Sequence, residues 1–165
     1  MDQERAEIAN AARRAIAEHH VLDSDYFRAL HEESMDLAKF AETQKQFYYA
    51  VVTFSRPMAG LVARIPDPAA RLEILRNVVE EHGDFHETEF HKNTFQAFLD
   101  SIGVDLADLE DLRVWPEIRA FNLAISAACL LDELEVGIAC MGTIELAFAT
   151  ISATIGQAVV KRGWV

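Results

Sequence analysis

The sequence E-E-H-G-D-F-H-E-T-E-F-H, residues Glu80–His91, contains three of the six histidines of the chain and five carboxylates within twelve residues. Apolar residues recur on both sides of it with a period of about 3.6 residues, which predicts two helices that meet at Gly83. A glycine break lets two helices turn polar groups toward one point. The stretch therefore predicts an all-α fold with a cluster of metal-binding side chains at one helix junction.

The same helical period runs through nearly the whole chain, and no segment alternates as a strand would. A chain of 165 residues is long enough to bury a real core in one domain. We therefore expect a single helical bundle spanning residues 1–165. Helices are predicted near residues 3–20, 23–31, 35–63, 67–82, 87–102, 117–129 and 132–162, with a short helical turn around 106–112.

The charge balance narrows the choice of partners and location. With 27 acidic and 15 basic residues the net charge is −12, and no Lys/Arg cluster offsets it, so nucleic acid and anionic lipid are excluded as partners. The charged N-terminal segment lacks the apolar region of a secretory signal, and no uncharged run reaches the roughly 18 residues of a membrane span. Cys129 and Cys140 lie in apolar helical sequence as buried thiols, without a disulfide framework. These features indicate a cytoplasmic protein.

Glu145 stands alone in the apolar sequence of the last helix. Most other polar residues of that helix share one stripe, and Glu145 points roughly 160–200° away from it at about 100° per residue. Its own face carries Ile138, Met141, Phe148 and Ser152. An ionised carboxylate among such residues is costly unless a cation or strong donors meet it. Glu145 is therefore expected to bind a metal ion; the alternatives are that it pairs with a buried arginine or lies exposed where the bundle is thin.

His91 is the second candidate ligand, because it shares the apolar face of the helix near 87–102. Three side chains around the glycine break could act with it. Periodicity turns His82 toward the core and leaves Glu81 on the shoulder of its helix, while Asp84 follows the break. A carboxylate and an imidazole facing one interior suit iron or manganese. Which of the three joins His91 is left open by periodicity alone.

Several sharper motifs are missing, and this narrows the chemistry. His86-Glu87 begins a zinc-protease motif, but Phe90 replaces its second histidine. Glu-x-x-His does not occur, which argues against a ferritin-like di-iron bundle. On the third helix Gln44 shares a face with Phe40, Phe47, Tyr48 and Val51, so its amide is either a satisfied core group or part of a pocket wall.

With these motifs the chain resembles the haem-oxygenase-like di-iron oxidases and oxygenases, whose fold is close to that of thiaminase-II-like and PqqC-like proteins. The resemblance covers about residues 19–165. Its motifs are His19–Leu30, Phe40-x-x-x-Gln44-x-x-Phe47-Tyr48, Asn77-Val-Val-Glu80-Glu81-His-Gly83, His91, Phe98-Leu99-x-x-Ile102-Gly103 and Gly142-x-x-Glu145.

The resemblance implies a haem-oxygenase-like bundle in which two irons (Fe2+) activate O2 on a small amine, amino acid or fatty acid. Glu81, His91 and Glu145 match the first three iron ligands of the family. Glu81 is chosen over Asp84 because it precedes the x-Gly pair, which overrides the periodicity of His82. Gln44 and Tyr48 are the candidate substrate-binding residues.

The resemblance also implies that part of the site is absent. The family places its remaining ligands, in a His-x-x-x-Asp-x-x-His pattern, on a further helix downstream of the residue that Glu145 matches. This chain ends at Val165, where that helix would begin. We therefore expect a truncated or short domain with three ligands and an uncovered apolar groove, which favours a homodimer or a partner helix.

Two other functions are alternative hypotheses to the oxidase. The first is a metal-free haem-oxygenase-like bundle that binds a small molecule or a partner protein. The second is thiaminase-like hydrolysis, which would need Cys129 or Cys140 as its nucleophile.

Overall fold

A computed structural model describes the backbone of residues 2–165 and the side chains of residue 7 and residues 9–165. This range contains helices and turns but no strand, which confirms the predicted all-α class. The α-helices are α1 (Asp2–Glu18), α2 (Asp25–His31), α3 (Leu37–Arg64), α4 (Leu72–Glu81), α5 (His91–Ser101), α6 (Pro116–Leu130) and α7 (Leu134–Lys161). Short 3₁₀ turns lie at Val21–Asp23, Gly83–Phe85, Glu87–Glu89 and Leu106–Leu109.

Two helices begin four or five residues later than the sequence predicts. The helix expected from residue 67 starts at Leu72, because the Asp67 carboxylate accepts hydrogen bonds from the Ala69 and Ala70 backbone N–H groups and closes a separate turn. The helix expected from residue 87 starts at His91, since residues 87–89 form a 3₁₀ turn of their own. The second shift makes His91 the first residue of its helix and moves it next to the end of α4.

Helix α3 is the centre of the bundle. It packs against α4, α5, α6 and α7, while α7 also packs against α1 and α6. The buried side chains form two clusters, one at each end of α3, and each fully buried Leu or Phe contributes roughly 1.5–3 kcal/mol. The first cluster is Phe27, Leu30, Met35, Phe40, Tyr48, Leu99, Ile102, Val104, Leu109, Ala158 and Val159. The second is Met58, Leu61, Ile125, Cys129 and Met141.

The far end of α7 is anchored to the segment between α2 and α3. The Arg162 guanidinium donates hydrogen bonds to the backbone carbonyls of Leu30 and Met35, at 3.4 and 2.6 Å. It also lies 4.2 Å from the ring centre of Trp164, which packs on Phe40. With both ends of α3 and α7 fixed in packed clusters, the space left between the helices lies near the middle of each.

Helices α6 and α7 expose much apolar surface. Leu123 and Leu131 are 68% and 82% exposed, and Val136 and Val160 on α7 are 47% and 68% exposed. By length and composition alone, α7 is the one described helix that could cross a membrane. In the bundle it packs against three other helices. The homodimer and the cytoplasmic location stay predictions.

Candidate metal centre

A cavity of about 280 Å³ lies between the middles of α3 and α7, between the two core clusters. Glu81, His91 and Glu145 all line it, although they come from three different helices. The three residues chosen as ligands from the sequence therefore share one cavity. Its remaining lining residues are Phe47, Ala50, Val51, Phe54, Phe121, Phe148, Ala149 and Ser152.

Glu81 and His91 form a direct pair at the junction of α4 and α5. The Nδ1 atom of His91 is 2.7 Å from the Oε1 atom of Glu81. Because an ionised carboxylate only accepts, Nδ1 is the donor, and in the neutral ring Nε2 then keeps a lone pair. The Glu81 side chain is 15% exposed and that of His91 is 50% exposed. The histidine can therefore move more easily than the carboxylate.

A left-handed turn brings these two residues together. Gly83, Asp84 and Phe85 have φ values of +55°, +51° and +71°, a conformation that costs non-glycine residues about 1–2 kcal/mol each. A Cβ atom on Gly83 would lie 2.6 Å from the backbone oxygen of Glu89. The turn thus depends on a residue without a side chain at position 83, as the sequence suggested for the glycine break.

Glu145 completes the cavity from α7. Burial raises the pKa of the Glu145 carboxyl, and the negative charges of Glu81 and Glu80 raise it further, while His91 lowers it. Among the described residues, no lysine or arginine forms an ion pair with Glu145 or Glu81. The predicted alternative of a buried arginine partner for Glu145 is therefore not what the structure contains. Two carboxylates therefore line one cavity together with one imidazole, and no described Lys or Arg pairs with either carboxylate.

The other two candidates beside His91 lie elsewhere. The Nδ1 atom of His82 is 2.7 Å from the Val78 carbonyl oxygen, and its ring packs edge-on against Phe90. Asp84 is exposed. His82 is half-buried against Phe90 at the end of α4, but it does not line the cavity.

The wall of the cavity is aromatic. The Phe148 ring lies 5.5 Å from that of Phe47, 6.4 Å from that of Phe54 and 6.1 Å from that of Phe121, measured between ring centres. Such rings exclude water and strengthen any electrostatic interaction between the polar groups that remain. Phe54 and Phe121 had no sequence signal beyond apolar periodicity, so their part in the wall could not be predicted.

The donor types suit iron, since carboxylates and imidazole are its common non-haem ligands. Among the side chains of residue 7 and residues 9–165, however, no three His, Cys, Asp or Glu groups are close enough together to hold a metal ion as they stand. Glu81 and His91 are in contact, and Glu145 faces them across the cavity. Binding a metal would therefore require side-chain movement, for which the half-exposed His91 has room.

The two predicted substrate-binding residues separate in the structure. Gln44 lines a second, larger cavity that adjoins the first. Tyr48 lines neither of these two cavities, and its hydroxyl accepts a hydrogen bond from Gln96 Nε2 at 2.9 Å. A role for Tyr48 in substrate binding stays a prediction.

The cysteines are poorly suited to act as nucleophiles. Cys129 is fully buried, and burial raises its pKa to about 11; burial also raises the pKa of Cys140. At pH 8 both are thiols, and the thiolate is the reactive form. Reaction of the folded protein with Ellman's reagent at pH 8 is expected to be at least tenfold slower than that of the unfolded chain. A cysteine that reacts as fast in the folded protein as in urea would revive the thiaminase-like hypothesis.

A helical bundle in which two carboxylates and one imidazole line a cavity between the central helices has the donor types of a non-haem metal protein. A comparison with protein families matches residues 41–163 to the iron-containing redox enzymes, and the chain belongs to that family. This confirms the resemblance found in the sequence and the haem-oxygenase-like fold. It also supports a general oxidoreductase function. A comparison with curated proteins finds no match.

Proposed function

We propose that this protein is a non-haem iron oxidase or oxygenase that uses O2 on a small organic substrate. Glu81, His91 and Glu145 are the proposed ligands, in a site that holds up to two irons. The observation that carries the proposal is that these three donors line one cavity in a member of an iron-containing family. A bound iron would supply the activation of O2 for attack on the substrate.

The residues of the chain have separate tasks in this scheme. Glu81 and Glu145 would offset the positive charge of a bound metal, which would in turn remove the repulsion between the two carboxylates. The contact with Glu81 orients the imidazole of His91. The aromatic wall shields one side of the site from water while His91 remains half-exposed, and the cavity of about 280 Å³ limits the reacting part of the substrate to a small group.

The test is anaerobic loading with Fe(II), followed by iron analysis and thermal unfolding. We expect one to two bound irons per wild-type chain. At free iron of about 100 times Kd, binding stabilises the fold by about 2.7 kcal/mol. This corresponds to a rise in Tm of roughly 5–10 °C for a chain of this size. The Glu81→Gln variant should lose both iron and the rise in Tm.

Glu80→Gln is the matched control, because Glu80 is adjacent in sequence but exposed and does not line the cavity. It should keep the iron content and the rise in Tm of the wild type. Equal iron in the Glu81→Gln and Glu80→Gln variants would contradict the ligand assignment.

A second candidate is a metal-free bundle that binds a small molecule. What favours it is that, among the described residues, no three donor side chains lie close enough together to hold a metal ion. This alternative predicts that Fe(II) leaves the Tm of the wild type unchanged.

A further inference from the structure

A second cavity, of about 670 Å³, continues from the candidate metal centre along the crevice between α3 and α7. Along α3 the two cavities are lined in order by residues 43–47 and 47–54, and along α7 by residues 151–155 and 145–152. Phe47 lines both cavities. The other residues that line the second cavity, called the chamber below, are Tyr26, Phe27, Thr43, Gln44, Gln46, Trp115, Pro116, Glu117, Ile118, Ile151 and Ile155.

Two glutamines of α3 border this chamber, and they differ in how their amides are used. Gln46 is satisfied at both ends: its Nε2 donates to the Arg113 carbonyl at 3.2 Å, and its Oε1 accepts from the Trp115 N–H at 2.8 Å. Gln44 is 4% exposed, and its Nε2 donates to the Tyr26 hydroxyl at 3.1 Å. Its Oε1 accepts no hydrogen bond from any described residue. Gln44 lines the chamber, and its Oε1 is the one atom of the amide without a protein partner among the described residues.

The charge of the chamber limits what can bind there. Glu117 is the one charged residue among its lining side chains, and none of them is Lys, Arg or His. A carboxylate or phosphate would find no cation and would be repelled by Glu117. Most of the wall is aromatic or aliphatic, which favours an apolar molecule. Among the described residues no buried side-chain polar atom lacks a hydrogen-bond partner, so Gln44 Oε1 is accessible from the chamber and can accept from a ligand donor.

From these features we propose that the chamber binds the apolar body of an uncharged ligand whose terminal hydroxyl or amide N–H donates to Gln44 Oε1. The ligand class is neutral amphiphiles, such as medium-chain alcohols. Phe47 lies between this chamber and the candidate metal centre. A ligand held at Gln44 would therefore extend along the crevice past Phe47, toward the iron site. The inference deepens the proposed function by defining the substrate class, but binding in the chamber can be measured without iron.

The experiment is isothermal titration calorimetry of the 165-residue chain with 1-octanol, octanoate and octylammonium. We expect 1-octanol to bind at least tenfold more tightly than octanoate. Gln44→Leu should weaken 1-octanol about tenfold, because the acceptor is lost. Gln44→Glu keeps the shape of the side chain and adds a negative charge, so it should make octylammonium the preferred ligand.

Gln96→Leu is the matched control, since Gln96 also donates to a tyrosine hydroxyl and lines neither cavity. It should leave the affinity for 1-octanol within twofold of the wild type. The proposal is overturned if 1-octanol does not bind, if octanoate binds equally well, or if the Gln44 variants match Gln96→Leu. Binding of 1-octanol to a protein that takes up no iron would support the chamber and remove the oxidase function, so the two failures are distinguishable.

Discussion

Glu145→Gln is expected to change stability in opposite directions in the iron-free and iron-loaded protein. Without iron, the substitution removes a half-buried negative charge that faces Glu81 and Glu80, so the fold should gain roughly 0.5–2 kcal/mol, as is common when a functional site is neutralised. With iron, a proposed ligand is lost. The stabilisation of about 2.7 kcal/mol expected at free iron of about 100 times Kd should then disappear.

Chemical denaturation of both proteins, with and without Fe(II), measures this pair of effects. Glu135→Gln is the control, because Glu135 lies on the same helix but is exposed in its first turn. In the first turn a negative charge interacts favourably with the helix dipole. Its loss should therefore lower the free energy of unfolding by a few tenths of a kcal/mol and leave the stabilisation by iron intact. An iron-free Glu145→Gln protein that is less stable than the wild type would show that Glu145 has a structural partner instead.

Gly83→Ala should have the largest effect on both the fold and the site. The new Cβ atom meets two penalties, the left-handed φ of +55° and overlap with the Glu89 backbone. Together these should destabilise the protein by roughly 2–4 kcal/mol, or about 5–15 °C in Tm. Relief of the overlap must move the turn that joins Glu81 to His91, so iron affinity should also fall by at least tenfold.

Gly103→Ala separates the two penalties. Gly103 has a φ of +82°, but a Cβ atom there would have no neighbour within 4 Å. It should lose about 1 kcal/mol from the backbone term alone and bind iron like the wild type. If the two alanine variants lose equal stability and equal iron affinity, the packing of Gly83 against Glu89 does not hold the site together.

The sequence was sufficient to predict the helices and the position of Glu145 on an apolar helix face. Both follow from the 3.6-residue period of apolar residues, which is a property of the local sequence. At the end of a helix the same period is less informative. His82 follows the last residue of α4 and is half-buried without lining the cavity, whereas Glu81 lines it. The choice of Glu81 as a ligand rests on the motif resemblance and stays a prediction.

Long-range contacts explain what the sequence could not provide. Gln44 and Gln46 are both buried and only two residues apart, yet both ends of the Gln46 amide have protein partners while only the Nε2 of Gln44 does. The difference comes from the 113–115 segment, which lies far away in sequence. In the same way, the position of Tyr48 away from both cavities depends on its packing beside α5 rather than on its face of α3.

Phe47 has a consequence for how the two cavities respond to each other. Its ring is part of the wall of both, and it also packs on Phe95 and Phe148. A ligand that displaces this ring changes the shape of the metal cavity and hence the affinity for iron. Thermodynamic reciprocity then requires iron to change the affinity for that ligand by the same factor. One phenylalanine would in this way couple the filling of one chamber to the occupancy of the other.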